Sequence, residues 1–193
     1  VKTIPNSTAS SANETVEYMS GNRTITTSDT VTRIILDALA NMWPEQICFS
    51  GIIASSQHKF EESELKTKLE YLIKSGFIEA SLFKQNYTKQ VSDRPLTSTL
   101  ARYYADSGAV VYNQKHANVE VDRYHRIVIS LLNGENTINE VIVHITQIAQ
   151  NEKWQIRSAP DQPPLTGNKL EHFLANMVDE IIRNLANMAM LIA

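Results

Sequence analysis

The sequence predicts a mainly α fold with short β-strands, arranged as two winged-helix-like modules. Three observations carry this. Apolar residues recur at helical spacing along most of the chain. In the first half, the order helix, short helix, helix, strand is that of a winged helix-turn-helix. A polar connection, residues 84–96 (KQNYTKQVSDRPL), then separates the halves, with the second beginning at Arg94.

Residues 1–15 (VKTIPNSTASSANET) are small, polar and aperiodic, the pattern of a flexible linker. The first module covers 16–93. VEYMS and TITT flank Ser20-Gly21-Asn22-Arg23 and predict a hairpin from Val16 to Thr27. Asp29 suits the N-cap of a helix whose stripe is Val31, Ile34, Ile35, Ala38, Leu39 and Met42, and Pro44 stops it. Ser50 caps a brief helix through Ile53. A third helix runs from Glu61 to Ser75 with Leu65, Leu69, Leu72 and Ile73 on one face, and Gly76 takes the C′ position. Phe77 to Phe83 (FIEASLF) then alternates as a strand.

The second module covers 94–193. A helix from Thr97 to Asp106 turns Leu100, Ala101 and Tyr104 inward and ends at Gly108, and Ala109 to Asn113 reads as a strand. Asp122 opens a helix with Tyr124, Ile127, Val128, Leu131 and Leu132 toward the core, broken at Asn133-Gly134. Thr137 and Glu140 have capping-box spacing before a helix that buries Ile138, Val141, Ile142, Ile145 and Ala149. Ser158 to Gly167 is a proline-rich loop. The last helix carries Leu170, Phe173, Leu174, Met177, Val178, Ile181, Ile182, Leu185, Met188 and Ala189, a stripe wide enough to meet more than one surface.

Composition narrows the function classes. The 193 residues are 42% hydrophobic, enough for packed cores. A net charge of −3 gives no overall attraction to nucleic acid or anionic membrane, and no apolar run is long enough to span a bilayer. The single Cys48 excludes an internal disulfide and fits a reducing, cytoplasmic setting; its apolar neighbours predict a buried structural thiol. The first residues lack an apolar secretory core, and Asn-x-Ser/Thr triplets at Asn6, Asn13, Asn22 and Asn86 carry no weight in so Asn- and Thr-rich a chain. A start at Val suggests a piece of a longer polypeptide.

Catalytic patterns are missing. The six glycines, at 21, 51, 76, 108, 134 and 167, are too far apart to cradle a nucleotide-like ligand. One cysteine cannot build a thiolate zinc site, the five histidines lack HExxH spacing, and no GxSxG elbow exists. His144 reads as a surface or boundary residue, and Trp43 and Trp154 as core or module-edge anchors. On the would-be recognition helix, Lys66, Lys68 and Lys74 are offset by Glu61, Glu62, Glu64 and Glu70, and Thr137 to Gln150 contains no Lys or Arg. Nucleic-acid binding therefore lacks its charge footprint.

Arg94-Pro95, Ser98, Leu100-Ala101-Arg102, Ala105 and Gly108 resemble the RPxxSxLARxxAxxG stretch of a bacterial methyltransferase regulatory region. The likeness continues through Val111, Asn113, His116, Val121-Asp122, Arg126 and Leu131-Leu132-Asn133-Gly134; in the family the last of these is similar to a helix ending in Leu-Leu-Asp-Gly. Asp29 to Phe49, with Trp43-Pro44, is similar to the middle module of the same proteins. On these residues the chain resembles the protein-lysine methyltransferases of rickettsiae and other bacteria over most of 16–193. Gln114-Lys115 and Ala117 depart from the family's Asn-Leu-Arg-His-Glu.

The resemblance implies a non-catalytic regulatory or substrate-recognition region that follows an S-adenosylmethionine-dependent core. No cofactor is then expected in this chain; S-adenosylmethionine belongs to the parent enzyme. Its implied partners are its own N-terminal methyltransferase core and a protein substrate, with a homodimer as an option. The matching polar positions are Arg94, Arg102, His116, Asp122 and Arg126. The resemblance offers them as substrate or core contacts, whereas residue chemistry favours Arg94 and Arg102 bonding acids or carbonyls and Asp122 capping a helix. Two alternatives stay open: a winged-helix DNA-binding transcriptional regulator, and a protein-interaction or dimerisation module using the last helix around Met177 and Ile181.

Overall fold

The structure, a computed structural model, describes residues 2–3, 15–56, 60–157, 159 and 161–193. The chain divides into two compact units, Val1–Gln85 and Asn86–Ala193.

In the first unit, β1 (Lys2–Thr3), β2 (Val16–Ser20) and β3 (Arg23–Thr27) form an antiparallel sheet in the order β1-β2-β3. The β2–β3 hairpin pairs Val16 with Thr27 and Ser20 with Arg23 around Gly21, as the sequence predicts. Lys2 and Thr3 add a strand that the polar composition does not announce; of the expected linker, residues 1 and 4–14 lie outside the described residues.

Three helices follow. In α1 (Thr30–Met42) the Asp29 carboxylate accepts from the Thr32 amide at 2.8 Å, and Val31, Ile35, Leu36 and Ala38 are buried. Then come α2 (Phe49–Ser55) and α3 (Glu62–Lys74), which buries Leu65 and Leu72. Tyr18 joins this core fully buried, with its hydroxyl donating to Asp37 Oδ1 at 2.8 Å. Burial first, and the Asp37 carboxylate second, push the phenol far above its ordinary range.

Two expectations fail here. Cys48 is exposed, not buried. It takes the extended N-cap position of α2, so its Sγ stays outside the first turn, 3.0 Å from Ser50 Oγ. The strand from Phe77 to Phe83 does not form. Gly76, at φ +66°, closes α3 in a Schellman turn: its own amide donates to Ile73 O at 2.8 Å and that of Phe77 to Leu72 O at 3.0 Å. Phe77 and Ile78 are thereby folded under α3 into the core, while Leu82 and Phe83 are 98% and 80% exposed. The expected order therefore holds for the three helices, and among the described residues of the first unit no strand follows α3.

The second unit contains α4 (Thr99–Ser107), β4 (Val111–Tyr112), β5 (Asn118–Val119), α5 (Arg123–Leu131), α6 (Ile138–Asn151) and α7 (Asn168–Asn187). β4 and β5 pair antiparallel, with Val111 opposite Val119. α4 packs on α5, and α6 on α7. The core gathers Val111, Val128, Ile129, Leu132, Val141, Ile145, Leu174, Val178, Ile182 and Leu185. On α4 the stripe is turned from the expected one: Ala101 and Ala105 are buried, while Leu100 is 56% exposed. Small residues at the contact let the α4 and α5 backbones approach. The wide stripe of α7 is mostly used within its own unit, with Ile181 only 4% exposed. After α7, Leu191 bridges Thr97 and Ile192 bridges Tyr87, and the Ile192 amide donates to Leu96 O at 2.8 Å.

Candidate functional site

The polar positions of the motif lie on the α4–β4–β5–α5 side of the second unit. Arg94 precedes the short pairing of Leu96 with Asn133. Its guanidinium donates to Glu135 O and lies 4.0 Å from Glu140 Oε2. Glu140 is held by the capping box of α6, accepting the Thr137 amide at 2.7 Å and the Thr137 hydroxyl at 2.8 Å. Those two bonds, and more weakly Arg94, hold its carboxyl below the usual range.

Arg102, one turn into α4, donates to Thr97 O and to Leu132 O at 3.4 Å, and its second nitrogen reaches Thr99 Oγ1 at 3.3 Å. Thr97 itself is fully buried, with its amide on Leu132 O at 2.9 Å and its hydroxyl 3.2 Å from both Ile129 O and Leu132 O. Arg94 and Arg102 thus meet one corner, where the chain before α4 pairs with the chain after α5.

Asp122 caps α5: its carboxylate accepts the His125 amide at 2.8 Å and contacts the His125 ring nitrogen Nδ1 at 2.8 Å. Burial pushes this carboxyl up, but the His125 bonds and charge together outweigh it and leave it below the usual range. Arg126 reaches back to the end of α4, donating to Tyr104 O at 3.2 Å and Ala109 O at 2.8 Å. Tyr104 O belongs to the last turn of α4, whose carbonyls a helix end leaves without intrahelical partners, and Ala109 O lies just past the Gly108 cap. His116 is exposed at φ +58° in the β4–β5 turn, where Asn113 Oδ1 accepts the Lys115 and Ala117 amides, both at 2.9 Å. Asn113 also ties the turn to the end of α7 by donating to Met188 O at 2.9 Å.

An apolar surface missed by the sequence reading borders these residues. Leu100 and Tyr103 project from α4, Tyr103 at 65% exposure, and Val110 and Tyr112 are exposed beside them. Tyr104 links the rings, with centroids 5.8 Å from Tyr103 and 6.0 Å from Tyr112. Tyr104 is half-buried against the core, on the inward side the sequence expects, whereas the outward turn of Tyr103 and Leu100 follows from burial of Ala101 and Ala105. Of the two tryptophans, Trp43 is exposed and Trp154 packs edge-on against Tyr124 at 5.2 Å. His144 is exposed. Among the described residues, no group of His, Cys, Asp and Glu could hold a metal ion.

The model of the PKMT C-terminal winged-helix domain matches residues 93–190. The chain belongs to the PKMT family, the protein-lysine methyltransferases. No curated protein matches the sequence. Among solved structures it is similar to PKMT2 from Rickettsia typhi, at 16% identity and a TM-score of 0.80, with all of this chain covered and 42% of that one. It is also similar to the same PKMT2 in complex with AdoHcy, at 16% identity and a TM-score of 0.77, with 100% and 41% covered. At that identity the likeness establishes the fold. This PKMT chain spans well under half the length of those structures.

Proposed function

We propose that this chain is the non-catalytic middle and C-terminal region of an S-adenosylmethionine-dependent bacterial protein-lysine methyltransferase, where it positions a protein substrate or braces the catalytic core. The match of residues 93–190 to the PKMT winged-helix domain carries the reading. Two observations support it. The rickettsial PKMT2 of the same fold, which has more chain than this one, is in complex with AdoHcy. The widely spaced glycines of this sequence suit no cofactor cradle of the doubly wound type.

Two of the motif residues brace the surface in this reading: Arg102 and Arg126 bond backbone carbonyls just before and just after α4, and the exposed Leu100, Tyr103, Val110 and Tyr112 meet the partner. Binding to DNA gains no support, because the α3 lysines are locally neutralised: Lys66 by Glu62 at 2.8 Å, Lys68 by Asp29 and Lys74 by Glu70, both at 3.3 Å.

Calorimetry of the isolated chain with S-adenosylmethionine tests the non-catalytic role. No micromolar heat is expected, and micromolar binding would overturn it. In the complete enzyme, Tyr103→Asp should raise KM for the protein substrate or lower the melting temperature of the core. A variant unchanged in both would remove this surface from the proposal.

A further inference from the structure

We propose that Asn133 is a site of spontaneous deamidation whose rate is gated by the corner that anchors Arg94. Asn133-Gly134 is the one Asn-Gly step in the sequence. Glycine adds no side chain to hinder ring closure there. In the reaction the Gly134 backbone nitrogen attacks Asn133 Cγ, closing a succinimide. The side-chain nitrogen leaves as ammonia with the proton lost from Gly134. Solvent water then opens the ring at either carbonyl, giving aspartate or isoaspartate.

Two features of the structure act in opposite directions. Asn133 Oδ1 accepts the Glu135 amide at 2.9 Å and the Asn136 amide at 3.0 Å. Paired donors on a carbonyl oxygen polarise it and would stabilise the oxyanion of the attack. The nucleophile, however, is held: the Gly134 amide donates to Pro95 O at 3.2 Å, and Leu96 pairs with Asn133 across the same corner. Leu96 also packs on Gly134, where an added Cβ would meet its Cδ1 at 3.3 Å. Until the corner opens, this nitrogen can neither shed its proton nor turn toward Cγ. Restraint of the nucleophile wins, because polarising the acceptor gains nothing while no attack geometry exists.

The two products differ in consequence. Aspartate keeps an oxygen for the Glu135 and Asn136 amides. Isoaspartate inserts a methylene into the backbone after residue 133 and displaces Glu135 O, the carbonyl that holds Arg94. Accumulated isoaspartate would therefore release Arg94 from the Glu135 carbonyl.

The test is peptide mapping of the intact chain, held in warm, mildly alkaline buffer with and without concentrated urea and scored for Asn, Asp and isoAsp at position 133. Conversion in the folded chain should be at least about tenfold slower than in urea, since it requires local opening. Thr97→Ala removes a hydroxyl that braces the corner through Ile129 O and Leu132 O. It should raise the folded rate several-fold and leave the urea rate unchanged. Equal folded and unfolded rates, a faster folded rate, or a folded rate indifferent to Thr97→Ala would each overturn the proposal.

Discussion

Asp29, Asp122 and Glu140 each accept hydrogen bonds at the first turn of a helix, and each is bound in its ionised form. For Asp29 the Thr32 hydroxyl contributes most, against an opposing cost of burial, and all three carboxyls end below their usual range. A depressed folded pKa means that the stabilisation is complete above the unfolded value, about 4, and is lost as pH falls through the folded values. Stability should therefore be flat near neutrality and decline on the acid side. A triple variant, Asp29→Asn, Asp122→Asn and Glu140→Gln, keeps acceptor oxygens but has no carboxyls to protonate at these caps. Its urea midpoint should depend less steeply on pH below about 4, and an acid limb as steep as that of the parent would refute the assignment. The Thr137 hydroxyl takes the Glu140 amide at 3.2 Å, so Thr137→Ala removes the α6 cap. A loss of about 1 kcal/mol in urea unfolding is expected.

Helices whose ends carry a chemical signal were legible. Asp29, Asp122 and Thr137 cap where the sequence places caps, and Gly76 and Gly108 take left-handed turns after α3 and α4. The 77–83 segment was not, because alternation of apolar residues competes with a helix end that recruits Phe77 and Ile78. The face of α4 was misjudged for a related reason. Of the expected inward residues Ala101 is buried and Tyr104 half-buried, while close packing of the small Ala101 and Ala105 turns Leu100 out, a choice that periodicity alone does not make. The motif residues were legible through the resemblance, yet their partners were not: Thr97 O, Leu132 O, Glu135 O, Tyr104 O and Ala109 O are backbone atoms that no side-chain pattern encodes. In α7 the ordering is testable. Leu174 and Ile182 are buried and Phe173 is half-exposed, so Leu174→Ala or Ile182→Ala should cost about 2–5 kcal/mol and Phe173→Ala less than about 1 kcal/mol in denaturant unfolding. Ile181→Asp, suggested by the sequence as a dimer probe, instead places a charge in the core and should unfold the second unit at any protein concentration.

Each unit has a hydrophobic core of its own: one is built from Tyr18 to Ile78, the other from Ala101 to Leu191. The second contains the whole family match and should fold as a fragment. Where that fragment begins matters. The sequence places the boundary at residues 93/94, whereas the compact units divide at Gln85 and Asn86. Between the two points lies Tyr87, which is buried and paired with Ile192, and the Thr88 amide, which donates to Leu191 O at 3.1 Å. Lys115 Nζ also lies 5.4 Å from the centre of the Tyr87 ring. A fragment of residues 86–193 keeps these contacts and one of 94–193 loses them. Removing one buried tyrosine alone withdraws about 2 kcal/mol of apolar burial, before the lost backbone bond is counted. The longer fragment should unfold cooperatively with the higher urea midpoint. Equal midpoints would show that the residues before Arg94 contribute nothing to this unit, and would return the boundary to the place the sequence suggests.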